Sequence, residues 1–502
     1  MSTPNHTRHN FMKLTSLGAV LLMLVGGVLC GVTVAEEKTG PPYQANGVKI
    51  GEVTQTSAII WTRLTEKPER NTDGIPFPKT KKLENEKGEL FPPRPVLPIG
   101  ARLYQMKNAV PGMMGQTRIV YWAVGKEDQK IETPWMTVSP KRDFTRQFVL
   151  TDLQPATEHS FEVECRPDAS ANTGEKVKGR FKTAPSPDDP ARVVFTVVTG
   201  QQFNDFSDSA KQYGPKIYPA MTKLQPSFFV HTGDIVYHDS RAPLAATIDL
   251  ARFKYKRIYA LPRLRDFHNN TPSYFMKDDH DTWTNNCWPT MEDYEMGQFS
   301  FVQGQAVFLE QVPMGQRTYR TVRWGKDLQI WLVEGRDYRS PNNMSDGPEK
   351  TIWGRKQKEW FKRTVQKSDA TFRVLISPTP LVGPDRGNDN HANEPWSYEG
   401  NELRQFISEQ KNMVVVCGDR HWQYVSVDDE TGLREYSCGA VTDEHAKKPG
   451  TVDREPEHRY LGLCGGFLSG TVERIDGRPI LTFRHYSIDG KILHEDRLTA
   501  TP

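Results

Sequence analysis

Pro185-Ser-Pro-Asp-Asp-Pro190, with Val193-Val-Phe-Thr-Val-Val198 close behind it, is where the sequence changes its grammar. Prolines at 185, 187 and 190 can continue neither a helix nor a central strand, so the stretch reads as a linker. The apolar run after it reads as a buried strand. Further runs of this kind are expected at 227–231, 274–277, 329–333, 372–376 and 413–417, alternating with helical segments near 208–223, 247–260, 353–366 and 399–411. That alternation makes residues 190–502 an α/β domain. Its last segments, 469–475, 479–486 and 491–498, are divided by Asp476-Gly477 and Asp489-Gly490 and read as a β meander. Upstream, short β segments at 47–51, 57–61, 118–124, 147–150 and 159–164 lie between turn-rich stretches, so residues 40–186 read as an all-β sandwich. A Pro- and Lys-rich insert around 66–98 is expected to be a surface loop.

A chain of 502 residues exceeds the roughly 100–200 residues of one ordinary domain, which agrees with this division. Its 36% hydrophobic and 10% aromatic content, with 11 Trp, is that of a folded protein and excludes general disorder. The closing runs Leu150–Glu158 and Gly179–Pro185 look like the last strands of a fibronectin type III module.

Ahead of the sandwich, Arg8 and Lys13 precede an apolar run from Leu14 to Val34 that ends in Thr33-Val34-Ala35 and turns polar at Glu36, the pattern of a secretory signal over residues 1–35. A signal anchor is the rival, since the run approaches the roughly 20 residues that span a bilayer; its Thr, Ser and Gly content favours cleavage. Export to periplasm, cell surface or extracellular space is therefore expected, with no membrane span in the mature chain. The lack of an Arg-Arg pair points to the general secretory route. Losing Arg8 and Lys13 lowers the formal charge from +3 to +1, which gives no electrostatic basis for nucleic-acid or membrane binding. After Cys30, an odd set remains: Cys165, Cys287, Cys417, Cys438 and Cys464. Their spacing supports neither a disulfide framework nor a thiolate zinc site.

Three polar clusters each follow an apolar run, where an open α/β sheet places its ligand site. They are Phe229-Val-His-Thr-Gly-Asp-Ile-Val-Tyr-His-Asp239, Phe275-Met-Lys-Asp-Asp-His-Asp-Thr-Trp-Thr-Asn-Asn286 and Val414-Val-Val-Cys-Gly-Asp-Arg-His421. Hydrolysing a phosphate ester requires neutralising the phosphoryl charge, making a hydroxide near neutral pH and protonating the leaving group. Paired cations do the first two and a positioned His the third. Asp234, Asp279, Asp419 and His421 supply the carboxylate and imidazole ligands such ions take.

With these residues in place, the chain resembles the PhoD-like alkaline phosphatases, within the calcineurin-like metallophosphoesterases, along nearly its whole mature length. The family motifs GDxxY, DDHExxNN and GDxH are similar to Gly233–Tyr237, Asp278–Asn286 and Gly418–His421. The resemblance implies a four-layer α/β/β/α catalytic domain behind a β-sandwich, and an exported phosphatase or phosphodiesterase with two or more divalent or trivalent ions. It implies that Asp234 bridges two metals, that Tyr237 and His421 complete one ion's shell and that Asp279 with Asp419 hold the other. His280 would be the general acid or a transition-state donor, and Arg336 and Arg339 would bind phosphate or brace the aspartates. Gln201, Asn285, Asn286 and His391 are further candidates for metal or substrate contact. Two departures stand out. Gly200 occupies the position of a family Cys ligand, which puts iron in doubt and favours calcium, manganese or zinc; Asp281 replaces a Glu at the cost of one methylene.

Duller readings compete. An Asp after Gly at a strand end is often a cap, Asp279-His280 a structural pair, Tyr237 a core residue. Three such clusters in order favour a metal site. Two rival functions stay open: a surface binding module on a degenerate phosphatase, and a phosphodiesterase for teichoic acid or phospholipid head groups. The expected substrate is a small-molecule or polymer phosphate ester.

Overall fold

The computed structural model describes residues 40–78, 83–84, 90–91, 97–241, 243–383, 389–446 and 458–501. The expected signal over 1–35, with Cys30, and the middle of the 66–98 insert lie outside the described residues. Residues 40–502 form one compact unit.

Nine strands make the larger sheet, in the order Ile492–Thr499, Arg478–Tyr486, Phe467–Ile475, Val193–Val198, Phe228–His231, Ser273–Phe275, Val48–Gly51, Ala58–Arg63 and Thr145–Leu150. Val193–Val198, Phe228–His231 and Ser273–Phe275 run parallel, and Val48–Gly51 joins them in parallel through Gly51 opposite Ser273. Hydrogen bonding thus passes from the strands of the α/β part into the N-terminal strands, across the linker at 185–190. A seven-stranded sheet holds Arg320–Trp324, Leu328–Leu332, Phe372–Ser377, Met413–Cys417, Arg434–Cys438, Gln423–Val427 and His458–Gly462 in that order.

Side-chain parity explains the layers. Phe195, Val197, Phe228 and Val230 pack between the two sheets against Ile330, Leu332, Val374, Ile376, Val414 and Val416. Their neighbours point the other way. Val198, Phe229 and Phe275 meet the helices Ile217–Thr222, Ile248–Tyr259, Pro262–His268 and Phe301–Gln311. Trp331, Leu375 and Val415 meet Gly354–Lys367 and Ser397–Ser408. Strands covered on both faces must be largely apolar, which is why they read as near-continuous runs. The result is the expected α/β/β/α sandwich.

Along the N-terminal strands successive side chains alternate between two faces. Val48, Ile50, Ala58, Ile60, Phe148 and Leu150 face Ile119, Tyr121, Phe161, Val163 and Phe181 of a five-stranded sheet. This all-β part is braced to the rest by buried charge. Asp143 takes both Arg63 and Lys256, each at 3.1 Å, and Gln311 Nε2 at 3.0 Å. No helix among the described residues is long and apolar enough to cross a membrane. Cys165, Cys287, Cys417, Cys438 and Cys464 are free thiols.

Candidate metal centre

Loops leaving the C-terminal ends of the parallel strands of both sheets converge on a cavity of about 710 Å³. Asp234, Tyr237, Asp279, His280, Asn285, Asn286, Asp419 and His421 line it, together with Asp205, Asp239, Asp389, Arg420, Trp422 and His445. Asp234 and Asp419 hold left-handed backbone, with φ of 57° and 62°. Residues in that sparsely populated region cluster at functional sites. Gly233 is required before Asp234: its φ is 125°, and a Cβ there would lie 2.7 Å from the Asp278 backbone nitrogen. Another cleft, lined by Phe181, Pro272 and Trp324, has no histidine in its walls.

At one end of the cavity Tyr237 Oη donates to Asp234 Oδ2 at 2.9 Å and lies 3.0 Å from His421 Nε2. It also lies 2.6 Å from Nε2 of His445, a residue the sequence reading did not single out. The ring of His445 is turned by Asp205, whose Oδ2 is 2.7 Å from Nδ1. Burial, with His421 alongside, lowers His445 to about 4, so its imidazole is neutral. Burial and the Asp234 carboxylate push the Tyr237 phenol well above its ordinary range.

The other end is built by the turn Asp278–Asn286. Asp281 is fully buried and locks it, accepting from Val236 N at 2.9 Å and Asp278 N at 3.1 Å, so that the first two sequence clusters are tied by one carboxylate. Asn286 N donates to Asp279 Oδ2 at 2.7 Å and Asn285 N to Asp239 Oδ2 at 3.0 Å. His280 Nδ1 pairs with Asp239. Burial alone would lower this imidazole, but Asp279, Asp239 and Asp234 outweigh it and hold His280 well above the ordinary histidine range.

Arg336 and Arg339 lie behind the cavity and are absent from its lining. Arg336 is fully buried; its Nε donates to Asp278 Oδ1 at 2.5 Å, and its Nη2 lies 3.8 Å from Asp279 and 3.5 Å from Asp389. Arg339 donates to Asn342 and to the Asp389 carbonyl and stacks on Trp396. His391 is buried against Trp353 and pairs with Glu399 at 3.0 Å. Of the loop that carries it, residues 384–388 lie outside the described set. Gln201 is buried beneath the site, accepting from Tyr218, with its backbone N–H on the Asp234 carbonyl.

The residues fit bound cations. Asp234, Asp279 and His280 offer ligand atoms all within 4.8 Å of one another. Buried Asp234 Oδ1 has no hydrogen-bond partner among the described residues. Burial and the neighbouring Asp279 raise Asp234 to about 6, and burial with four other aspartates raises Asp419 well above its ordinary range. Crowding carboxylates in a dry site is unfavourable unless positive charge joins them, and a bound cation reverses that sign.

The family profile described as PhoD-like phosphatase matches residues 195–459, and the profile of its N-terminal domain matches residues 31–185. Among solved structures, "Structure of PhoD" superposes with a TM-score of 0.67 at 16% identity, covering 92% of this chain and 90% of that one. The purple acid phosphatase PPD1 from yellow lupin (Lupinus luteus) seeds gives 0.62 at 12% identity, covering 90% and 74%. At these identities the structural likeness carries the fold. No curated protein matches the chain.

Proposed function

Because this chain belongs to the PhoD-like phosphatase family, we propose that it is an exported enzyme hydrolysing phosphate esters with two or more metal ions held between Asp234, Tyr237, Asp279, Asp419 and His421. The observation that carries the reading is the convergence of these five side chains, from three separate loops, on one cavity that also holds a buttressed histidine. When bound, the ions polarise the phosphoryl group and make water a nucleophile near neutral pH.

The chain supplies the rest. His280 gives a proton to the leaving oxygen: Asp239 engages Nδ1, which leaves Nε2 for the substrate, and the surrounding carboxylates keep the ring charged. Asn285, Asn286 and Arg420, in the cavity wall, orient the phosphoryl oxygens. Arg336 holds Asp278, Asp279 and Asp389 in register and does not touch substrate. The donor set contains no thiolate, which favours manganese, zinc or calcium. Residues 40–186 act as a scaffold for the catalytic part, 190–502.

The test is hydrolysis of p-nitrophenyl phosphate and bis-p-nitrophenyl phosphate after chelation and re-addition of calcium, manganese, zinc or iron, beside Asp234→Asn. Metal-restored turnover lost in the variant supports the reading, and the faster substrate assigns mono- or diester preference. No turnover and no bound metal would favour a binding module.

A further inference from the structure

We infer that His445 is a metal ligand, completing with Asp234, Tyr237 and His421 a subsite of two nitrogens and two oxygens in which Asp205 sets the orientation of the His445 ring. The inference rests on the metal-dependent reading above. Tyr237 Oη is 2.6 Å from His445 Nε2, 3.0 Å from His421 Nε2 and 2.9 Å from Asp234 Oδ2, and His421 Nε2 is 3.3 Å from Asp234 Oδ2. Bonds of about 2.0–2.1 Å to nitrogen and oxygen place neighbouring tetrahedral ligand atoms roughly 3.3 Å apart. Three donor atoms, from Asp234, His421 and His445, thus lie within 3.0 Å of Tyr237 Oη, close to ligand spacing. The Asp205 contact to Nδ1 is the carboxylate–imidazole pairing that fixes a ligating histidine with its other nitrogen toward the metal.

The backbone shows why His445 can be there. Thr199 N donates to Gly439 O at 3.2 Å and Val441 N to Gly200 O at 3.2 Å, so the His445 loop is zipped onto the loop carrying Gly200. A Cβ at position 200 would lie 2.7 Å from His421 Cδ2 and 3.1 Å from His445 Cδ2. Gly200 offers no donor of its own; the space a side chain would fill is taken by the two imidazoles. At this one subsite a donor set of two imidazoles, a phenol and a carboxylate selects zinc or cobalt over calcium.

The test uses the full chain, stripped with a chelator and titrated with Zn²⁺ or Co²⁺ alone, reading bound metal by elemental analysis and the cobalt d–d absorption. Relative to the unaltered protein, His445→Ala is expected to lose one equivalent or bind it about 100-fold more weakly, and Asp205→Asn to weaken binding about 10–100-fold. Free imidazole is expected to restore the cobalt spectrum of His445→Ala, which a packing role would not allow. Unchanged stoichiometry, affinity and spectrum in His445→Ala overturn the inference alone. Failure of the unaltered protein to take up either metal overturns the metal-dependent reading as well. Should His445→Ala not fold, by circular dichroism, Asp205→Asn decides: an unaltered cobalt spectrum in that variant also refutes the assignment.

Discussion

His280 Nδ1 lies 2.8 Å from Asp239 Oδ1 and 2.9 Å from Oδ2, so both oxygens of one carboxylate sit against that single nitrogen. Because Asp279 and Asp239 raise the His280 pKa, the charged form persists to higher pH, and activity that needs it is lost only as pH rises through the raised value. Asp239→Asn is expected to move the alkaline limb of the kcat profile to lower pH. His280→Gln should cost about 10²–10⁴-fold on an alkyl phosphate and much less on p-nitrophenyl phosphate, whose leaving group needs no proton. Equal losses on both substrates would exclude the proton-donor role.

Asp234 is the carboxylate both ends of the cavity share. Asp234→Asn is expected to lower kcat by more than about 100-fold and to reduce bound metal, exceeding the loss typical of residues that merely orient a ligand. Metal content by elemental analysis checks it.

Removing Arg336 leaves Asp278, Asp279 and Asp389 facing one another in a dry interior. Arg336→Met is expected to destabilise the fold by about 3–5 kcal/mol in denaturant titration. A stable variant with only a raised KM would instead make Arg336 a substrate contact.

Asp143 should govern acid stability. Burial would raise it, but Arg63 and Lys256 hold it at about 2, against 3.8 unperturbed. A carboxylate depressed in the folded state contributes stability above its unfolded pKa and loses it as pH falls toward the folded value. That contribution, on the order of 2 kcal/mol, should be complete above about pH 4 and gone near pH 2. The difference in Tm between the unaltered chain and Asp143→Asn should shrink over that window; a constant difference would refute the linkage.

Gly304 sits inside the helix Phe301–Gln311, where a Cβ would come within 1.6 Å of the Thr282 carbonyl. Gly304→Ala should therefore destabilise by about 1–3 kcal/mol or more. It should also lower activity by displacing the Asp279–Thr282 turn, in contrast to the ordinary gain of Ala over Gly in a helix. An unchanged Tm would contradict the packing described.

Strands such as Val193–Val198 and Met413–Cys417 were legible to the residue, because both faces are buried and the runs are apolar but for Thr196. Arg434–Cys438 was not. Its buried Glu435 accepts from the backbone N–H groups of Leu381, Val382 and Gly383, and no periodicity announces an acid used that way. Missing that strand hid His445, which follows it as Asp234 follows Phe228–His231. The helix Phe301–Gln311 went unread because Gly304 and the β-branched Val302 and Val307 weaken the helical signal. Asp234, Tyr237, Asp279, His280, Asp419 and His421 were legible as site candidates because three motifs fall at strand ends. Arg336 was ambiguous for a physical reason: a guanidinium beside aspartates looks the same in sequence whether it faces phosphate or carboxylate.

The pairing of Gly51 with Ser273 carries a consequence for biogenesis. The strand Val48–Gly51 leaves the ribosome long before its parallel neighbour Ser273–Phe275 exists, and closing so distant a contact is entropically slow. Until it closes, each strand presents an open row of amides and carbonyls to any other chain nearby. Separated from residues 40–186, the catalytic sheet would keep that edge permanently bare. The N-terminal sandwich is thus an edge guard fitted late in folding, and expression of residues 190–502 alone is expected to yield aggregates.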